Sequence, residues 1–156
     1  MKYICSLITV DDIKRSRDFY ERILDQKVKA DYGENVTYHG DFAIHLKSHF
    51  RRLIDDRKIQ STGNNFELFF EYDDIEEIVE KITAYGVSFV HPAREQPWRQ
   101  KVVRFYDPDG NMIEIGESME YLSYRLFNEG LTETEISEIT YQPVEFVVES
   151  IQKHKQ

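Results

Sequence analysis

Three acid or imidazole side chains interrupt apolar runs in this 156-residue chain: His45 in Phe42-Ala43-Ile44-His45-Leu46, Glu67 in Phe66-Glu67-Leu68-Phe69-Phe70, and Glu114 between Ile113 and Ile115. A carboxylate carried into an apolar strand loses its hydration, so it must be paired, protonated or put to use. Glu67 and Glu114 therefore read as functional or paired carboxylates, suited to proton transfer or to holding a cation. His45 is the natural third group, as a ligand, a proton carrier or a hydrogen-bonded core imidazole. Cys5 is the single cysteine and has no internal disulfide partner, so it is a core thiol, a ligand or a reactive group. His49 follows His45 by four residues, a spacing that binds metal on a helix, but the stretch reads as strand and exit loop, which places His49 at the surface. His39 and His91 have no evident companions. No Gly-rich phosphate loop, Gly-x-Ser-x-Gly elbow or CxxC pair occurs, and no nucleotide cofactor is expected.

The strands that must position these groups belong to a repeat. Residues 3–10 are apolar and β-branched and run into Asp11-Asp12, residue types that end strands and cap helices. Ile13, Ser16, Phe19, Tyr20, Ile23 and Leu24 then recur at three- and four-residue steps with charges opposite, which predicts a helix lying on a sheet. Residues 35–39 and 42–47 alternate between turn residues and read as strands. Residues 66–72 form another apolar strand ending in Asp73-Asp74, and Ile75, Ile78, Val79 and Ile82 supply a second amphipathic helix, with Asp74 and Glu77 as its capping box. Val10-Asp11-Asp12-Ile13 thus recurs as Tyr72-Asp73-Asp74-Ile75, 62 residues further on. Residues 87–90, 101–106 and 111–116 read as the later strands, with Asp107-Pro108-Asp109-Gly110 as a hairpin turn. The prediction is an α+β domain over residues 1–117, built from two β-α-β-β-β modules at about 1–50 and 64–117. The polar connection, residues 51–65, fits a long loop or a short helix.

Residues 118–156 differ in kind. They lack strand signals, break at Gly130 and Pro143, and carry helical spacing at Tyr121, Leu122 and Leu126 and again at Val144, Val147, Val148 and Ile151. Ile136 and Ile139 between the breaks outline a helix-turn-helix, but from Glu117 onward glutamates outnumber lysines and arginines eight to three. A helical extension that is structural or covers a dimer face is expected, not a DNA reader. The net charge of −9 also disfavours nucleic acid generally. No apolar run approaches the roughly 20 residues a bilayer requires, and Met1-Lys2-Tyr3-Ile4-Cys5 is too short for a leader, so a soluble cytoplasmic protein with no membrane partner is expected.

The stretches ITVDDIKRSRDFYERIL (residues 8–24) and QPWRQKVVRFYDPDGNMIEIGE (residues 96–117), with the paired modules, make the chain resemble the vicinal oxygen chelate superfamily. That superfamily contains glyoxalase I, fosfomycin-resistance proteins, extradiol dioxygenases and bleomycin-resistance proteins. The resemblance covers residues 1 to about 117 and implies that the two modules curl around a shared cup, with a metal ligand on the first and last strand of each. Carried over residue by residue, it places ligands at Cys5, seven residues before Asp12, at Glu67 in the repeat, at His45, and at Glu114, four residues after Gly110. Cys5 and Glu67 stand where histidine is common. A thiolate, an imidazole and two carboxylates suit zinc, or nickel, iron, cobalt or manganese. The ion would act as a Lewis acid, with Glu67 or Glu114 as the catalytic base. Without a metal, the two carboxylates would share a proton, with His45 as their partner.

Trp98 in Glu95-Gln96-Pro97-Trp98 resembles a Glu-x-Pro-Trp-Gly segment of bleomycin-resistance-like members, whose ring walls the cup, with Arg99 in place of the glycine. Tyr38 and Arg104 join Trp98 as substrate contacts by strand position. The resemblance implies a metal-dependent lyase, isomerase or related enzyme acting on a small oxygenated molecule, working as a homodimer. The alternative is a metal-free protein of bleomycin-resistance type, whose acidic cup sequesters a cationic compound.

Overall fold

The computed structural model describes residues 2–60 and 64–155; Ser61, Thr62 and Gly63 of the polar connection lie outside the described residues. The first repeat runs β1 (Ser6–Val10), α1 (Ile13–Arg17), a π-helical segment Asp18–Ile23, β2 (Val28–Asp31), β3 (Asn35–Tyr38), β4 (Phe42–Leu46) and α2 (Lys47–Leu53). The second runs β5 (Glu67–Glu71), α3 (Ile75–Tyr85), β6 (Ser88–Glu95), β7 (Lys101–Tyr106) and β8 (Met112–Gly116). Three helices follow, α4 (Met119–Asn128), α5 (Glu133–Thr140) and α6 (Val144–His154). The two four-stranded sheets have the same strand order, β1-β4-β3-β2 and β5-β8-β7-β6. The repeat of Asp-Asp punctuation is therefore a repeat of topology, an α+β architecture of two like modules followed by C-terminal helices.

In the first sheet β1 runs parallel to β4, pairing Ser6 with Phe42 and Thr9 with His45. β3 runs antiparallel to both β4 and β2. β2 escaped the sequence pattern because it is short, carries Lys29 and Asp31, and slips register between Val28 and Ala30. α2 settles the choice of loop or helix for the first part of the connection.

The helix after Asp11-Asp12 starts as predicted, with the Asp12 carboxylate accepting from Arg15 N at 3.0 Å. It then widens, Leu24 N donating to Phe19 O at 3.2 Å. This i→i+5 turn lets Phe19, Tyr20, Ile23 and Leu24 all be buried.

The chain folds as two compact units, one of residues 1–67, 82–88 and 106–112, the other of residues 68–81, 89–105 and 113–156. In the first, Tyr20 packs on Tyr38 and Phe42, and the Tyr38 and Phe42 rings stack at 4.7 Å. The Asp107-to-Gly110 turn belongs to this unit and ties down the helix. Tyr20 OH donates to Asp107 at 2.8 Å. The Asp109 carboxylate accepts from Asp11 N at 2.8 Å, Arg15 Nη2 at 2.7 Å and Ser16 Oγ at 3.0 Å. In the second unit Val102, Val103, Phe105, Ile113 and Ile115 are buried in the sheet. α4, α5 and α6 close over their own core of Leu122, Leu126, Ile136, Val147 and Ile151. Gly116 ends β8 where a side chain would meet Gln100, Phe69 and Val102 at 3.1 to 3.2 Å.

Candidate functional site

In the first unit, His45 is on β4 and only 6% exposed. Asn35 Nδ2 lies 3.1 Å from His45 Nδ1, and His45 Nε2 lies 2.8 Å from His49 Nδ1. With the amide nitrogen donating, the His45 proton sits on Nε2 and is donated to His49. Glu34 stands 3.4 Å from His49 Nδ1. Burial first, and then the neighbouring His49, push the His45 pKa below its ordinary value, while Glu34 opposes them. His49 is therefore no bystander at the surface: because α2 begins at Lys47, right after the strand, the four-residue spacing folds its ring back onto His45.

Cys5 is a half-buried free thiol immediately before β1. It precedes Thr9, the register partner of His45, by four residues. At about 3.3 Å per strand residue the two Cα atoms are separated by roughly 13 Å along the strands, so Cys5 and His45 do not converge on one ion. Tyr38 is fully buried, its ring stacked on Phe42 and its hydroxyl 3.5 Å from Glu21. That leaves no ring surface for a ligand. Glu67 opens β5 and is half-buried, at the point where the chain passes from the first unit to the second.

In the second unit, Glu114 on β8 is 6% exposed and forms an ion pair with Arg104 Nη2 from β7. Arg104 Nη1 approaches His91 Nε2 of β6 at 3.5 Å. His91 Nδ1 donates to Pro92 O at 2.8 Å, which turns the Nε2 lone pair toward the guanidinium. A carboxylate, a guanidinium and an imidazole thus stand in a row across β8, β7 and β6. Trp98 lies in the β6–β7 connection, and its indole N–H donates to Gln100 Oε1 at 2.9 Å, while Gln100 Nε2 donates to Glu117 O at 2.7 Å. The indole N–H is committed to holding that connection.

Within each unit the expected ligands are already separated or paired. A guanidinium holds Glu114 where an ion would need its lone pairs, and Cys5 and His45 are separated by strand register. Among the described residues no three His, Cys, Asp or Glu side chains are disposed to hold a metal.

Residues 3–120 match the glyoxalase-like domain family. The solved structure of a protein of unknown function from Agrobacterium tumefaciens str. C58 is 38% identical, with a TM-score of 0.68 over 76% of this chain and 94% of that one. A glyoxalase/bleomycin resistance protein/dioxygenase family enzyme from Burkholderia phytofirmans PsJN superposes with a TM-score of 0.65 at 17% identity, over 75% and 98% of the two chains. The uncharacterized protein YraH of Bacillus subtilis (strain 168) is 27% identical over 126 residues, 74% of this chain and 97% of that protein. The fold is that of the vicinal oxygen chelate superfamily. The chain belongs to its glyoxalase-like domain family. Among the described residues no helix is long and apolar enough to cross a membrane.

Proposed function

We propose that this protein is a metal-independent small-molecule-binding member of the glyoxalase-like family, which recognises an oxygenated ligand through Arg104 held between Glu114 and His91. The Arg104–Glu114 ion pair carries the reading. The superfamily's carboxylate position holds a fixed cation, and a guanidinium presents planar donors that match two adjacent ligand oxygens, the role a bound ion takes in a chelating relative. Glu114 fixes the guanidinium plane. The long contact of Arg104 with His91 is the one a ligand oxygen would displace, leaving the His91 lone pair to accept from a ligand hydroxyl. The Arg104–Glu114 pair also tempers the purely acidic cup expected from a net charge of −9, which favours an oxygenated ligand over a cationic one.

Titration calorimetry with a panel of vicinal diols, hydroxyketones and catechols, with and without chelator, tests this reading. Binding is expected to survive chelation. It is expected to weaken about tenfold or more in Arg104→Lys, which keeps the charge and loses the fork. Near-stoichiometric zinc, nickel, iron, cobalt or manganese in the dialysed protein, lost in Glu114→Ala, would replace this reading with a metal-dependent lyase or isomerase that uses Glu67 or Glu114 as base. A homodimer belongs to the same proposal, supported by Phe66, Phe69, Tyr72, Phe89 and Val90, which are 37 to 49% exposed around β5 and β6. Light scattering after gel filtration reads it directly. A cytoplasmic setting accords with the lone thiol of Cys5.

A further inference from the structure

A cavity of about 230 Å³ opens within the second unit beside α3, β6 and β7. Its apolar lining is Ile75, which is buried, with Val79 and Ala93. Four charged side chains border it, Glu76, Arg94, Glu95 and Lys101, and their commitments differ. Lys101 Nζ is paired with Glu76 at 3.0 Å, and Glu95 accepts from Arg99 Nε at 2.6 Å. Arg94 is exposed and, among the described residues, has no hydrogen-bond or ion-pair partner. An apolar recess beside one uncompensated guanidinium is complementary to a small apolar body that carries a negative charge. The size agrees: an apolar cavity of about 150 Å³ takes one benzene ring, so this one accommodates a ring with a short acid arm.

We propose that this cavity is a second ligand site, separate from the Arg104 row, that binds a small amphipathic carboxylate with its apolar body on Ile75, Val79 and Ala93 and its carboxylate on Arg94. A planar guanidinium and a carboxylate make two parallel hydrogen bonds, and Arg94 has no partner it must first release. The carboxylate class therefore follows from charge and geometry together, and an uncharged ligand of the same shape forfeits the ion pair.

The test uses 3-phenylpropionate as the probe and 3-phenylpropanamide as its neutral counterpart, with affinities measured by ligand-observed NMR and calorimetry on the full chain. The acid is expected to bind about tenfold or more tightly than the amide, and Arg94→Gln is expected to erase that difference. Ala93→Trp, at an exposed strand position that tolerates a large side chain, fills the cavity and is expected to abolish binding of both compounds. Equal affinities for acid and amide, or an unchanged acid affinity in Arg94→Gln, overturns the carboxylate assignment. Binding that persists in Ala93→Trp and disappears in Arg104→Ala moves the ligand to the Arg104 row and overturns the second site. Absence of binding by the wild-type chain at millimolar probe overturns it as well.

Discussion

His45 sits in a β-strand with almost no access to water, hydrogen-bonded on one ring nitrogen to Asn35 and on the other to His49. Charging it would strip an imidazolium of its hydration beside a second imidazole, so its folded pKa lies below the ordinary 6.5. The unfolded chain takes up this proton at the ordinary value, whereas the folded chain takes it up only at lower pH. Stability is therefore complete above about pH 6.5 and falls as the pH drops toward the folded pKa. Urea unfolding at steps from pH 7.5 to 5 should show that fall, with a flatter profile in His45→Gln. Identical slopes in the two proteins would mean that His45 is solvated and not sealed in the strand. His49→Gln removes the like-charge neighbour and should leave a slope between the two. His45 donates its Nε2 proton to His49 and Glu114 is paired with Arg104, so each has a resident partner before any ligand arrives.

At the scale of elements, the turn between β7 and β8 holds the first helix. Asp109 accepts from a backbone amide, a hydroxyl and a guanidinium, and its side chain has no exposure, whereas Arg15 is 45% exposed. The Arg15 ion pair is thus screened and worth little, and the weight falls on Asp11 N and Ser16. Asp109→Ala should destabilise the protein by about 2 kcal/mol in urea unfolding, and Arg15→Ala by less than about 1 kcal/mol. Equal losses would assign the stability to the ion pair instead. This contact also marks what a sequence can and cannot disclose. The Asp-Asp punctuation, the 62-residue repeat and the strand carrying His45 were legible because each is a local pattern of alternation or capping. The Arg104–Glu114 pair was within reach by counting. Asp107 N donates to Asn111 O, and stepping three residues outward on each arm of that hairpin lands on Arg104 and Glu114. The separation of Cys5 from His45 was not legible, because Cys5 leads into β1 and His45 lies on β4, parallel strands joined by a long crossover, where no turn sets the register. Tyr38 escaped for a different reason: alternation along β3 gives its face but not that Tyr20 and Phe42 fill that face.

At the scale of the whole molecule, the family match ends at residue 120 while the chain continues through α5 and α6. Three short helices around five core side chains are too small a body to be stable alone, so their order must be drawn from the sheet of the same unit. Arg125 supplies the connection. From α4 it reaches the fully buried Glu117 at 2.7 Å, the carbonyl of Arg99 at 2.6 Å and Glu129 at 2.6 Å. Glu117 in turn accepts from Lys101 N at 2.8 Å, so one carboxylate is shared by the helix and the start of β7. Burial lowers the Arg125 pKa, but the two carboxylates outweigh burial and raise it above its ordinary value, so the charge is held in place. Removing one partner of such a pair strands the other charge in the interior. Arg125→Leu should therefore cost about 3–5 kcal/mol, well above the loss from a surface ion pair. Arg125→Leu combined with Glu117→Leu should recover a large part of that loss, since two apolar side chains bury without stranding a charge on either of the two residues, and the uncharged groups left without these partners are Lys101 N and the Arg99 carbonyl. Urea midpoints of the single and double variants decide the matter. Additive losses would mean that the pair is not coupled and that α4 is held to the sheet by apolar packing alone. A double variant more stable than Arg125→Leu, unfolding in one transition seen by both helical circular dichroism and Trp98 fluorescence, would establish the helical extension and the sheet of this unit as one cooperative body.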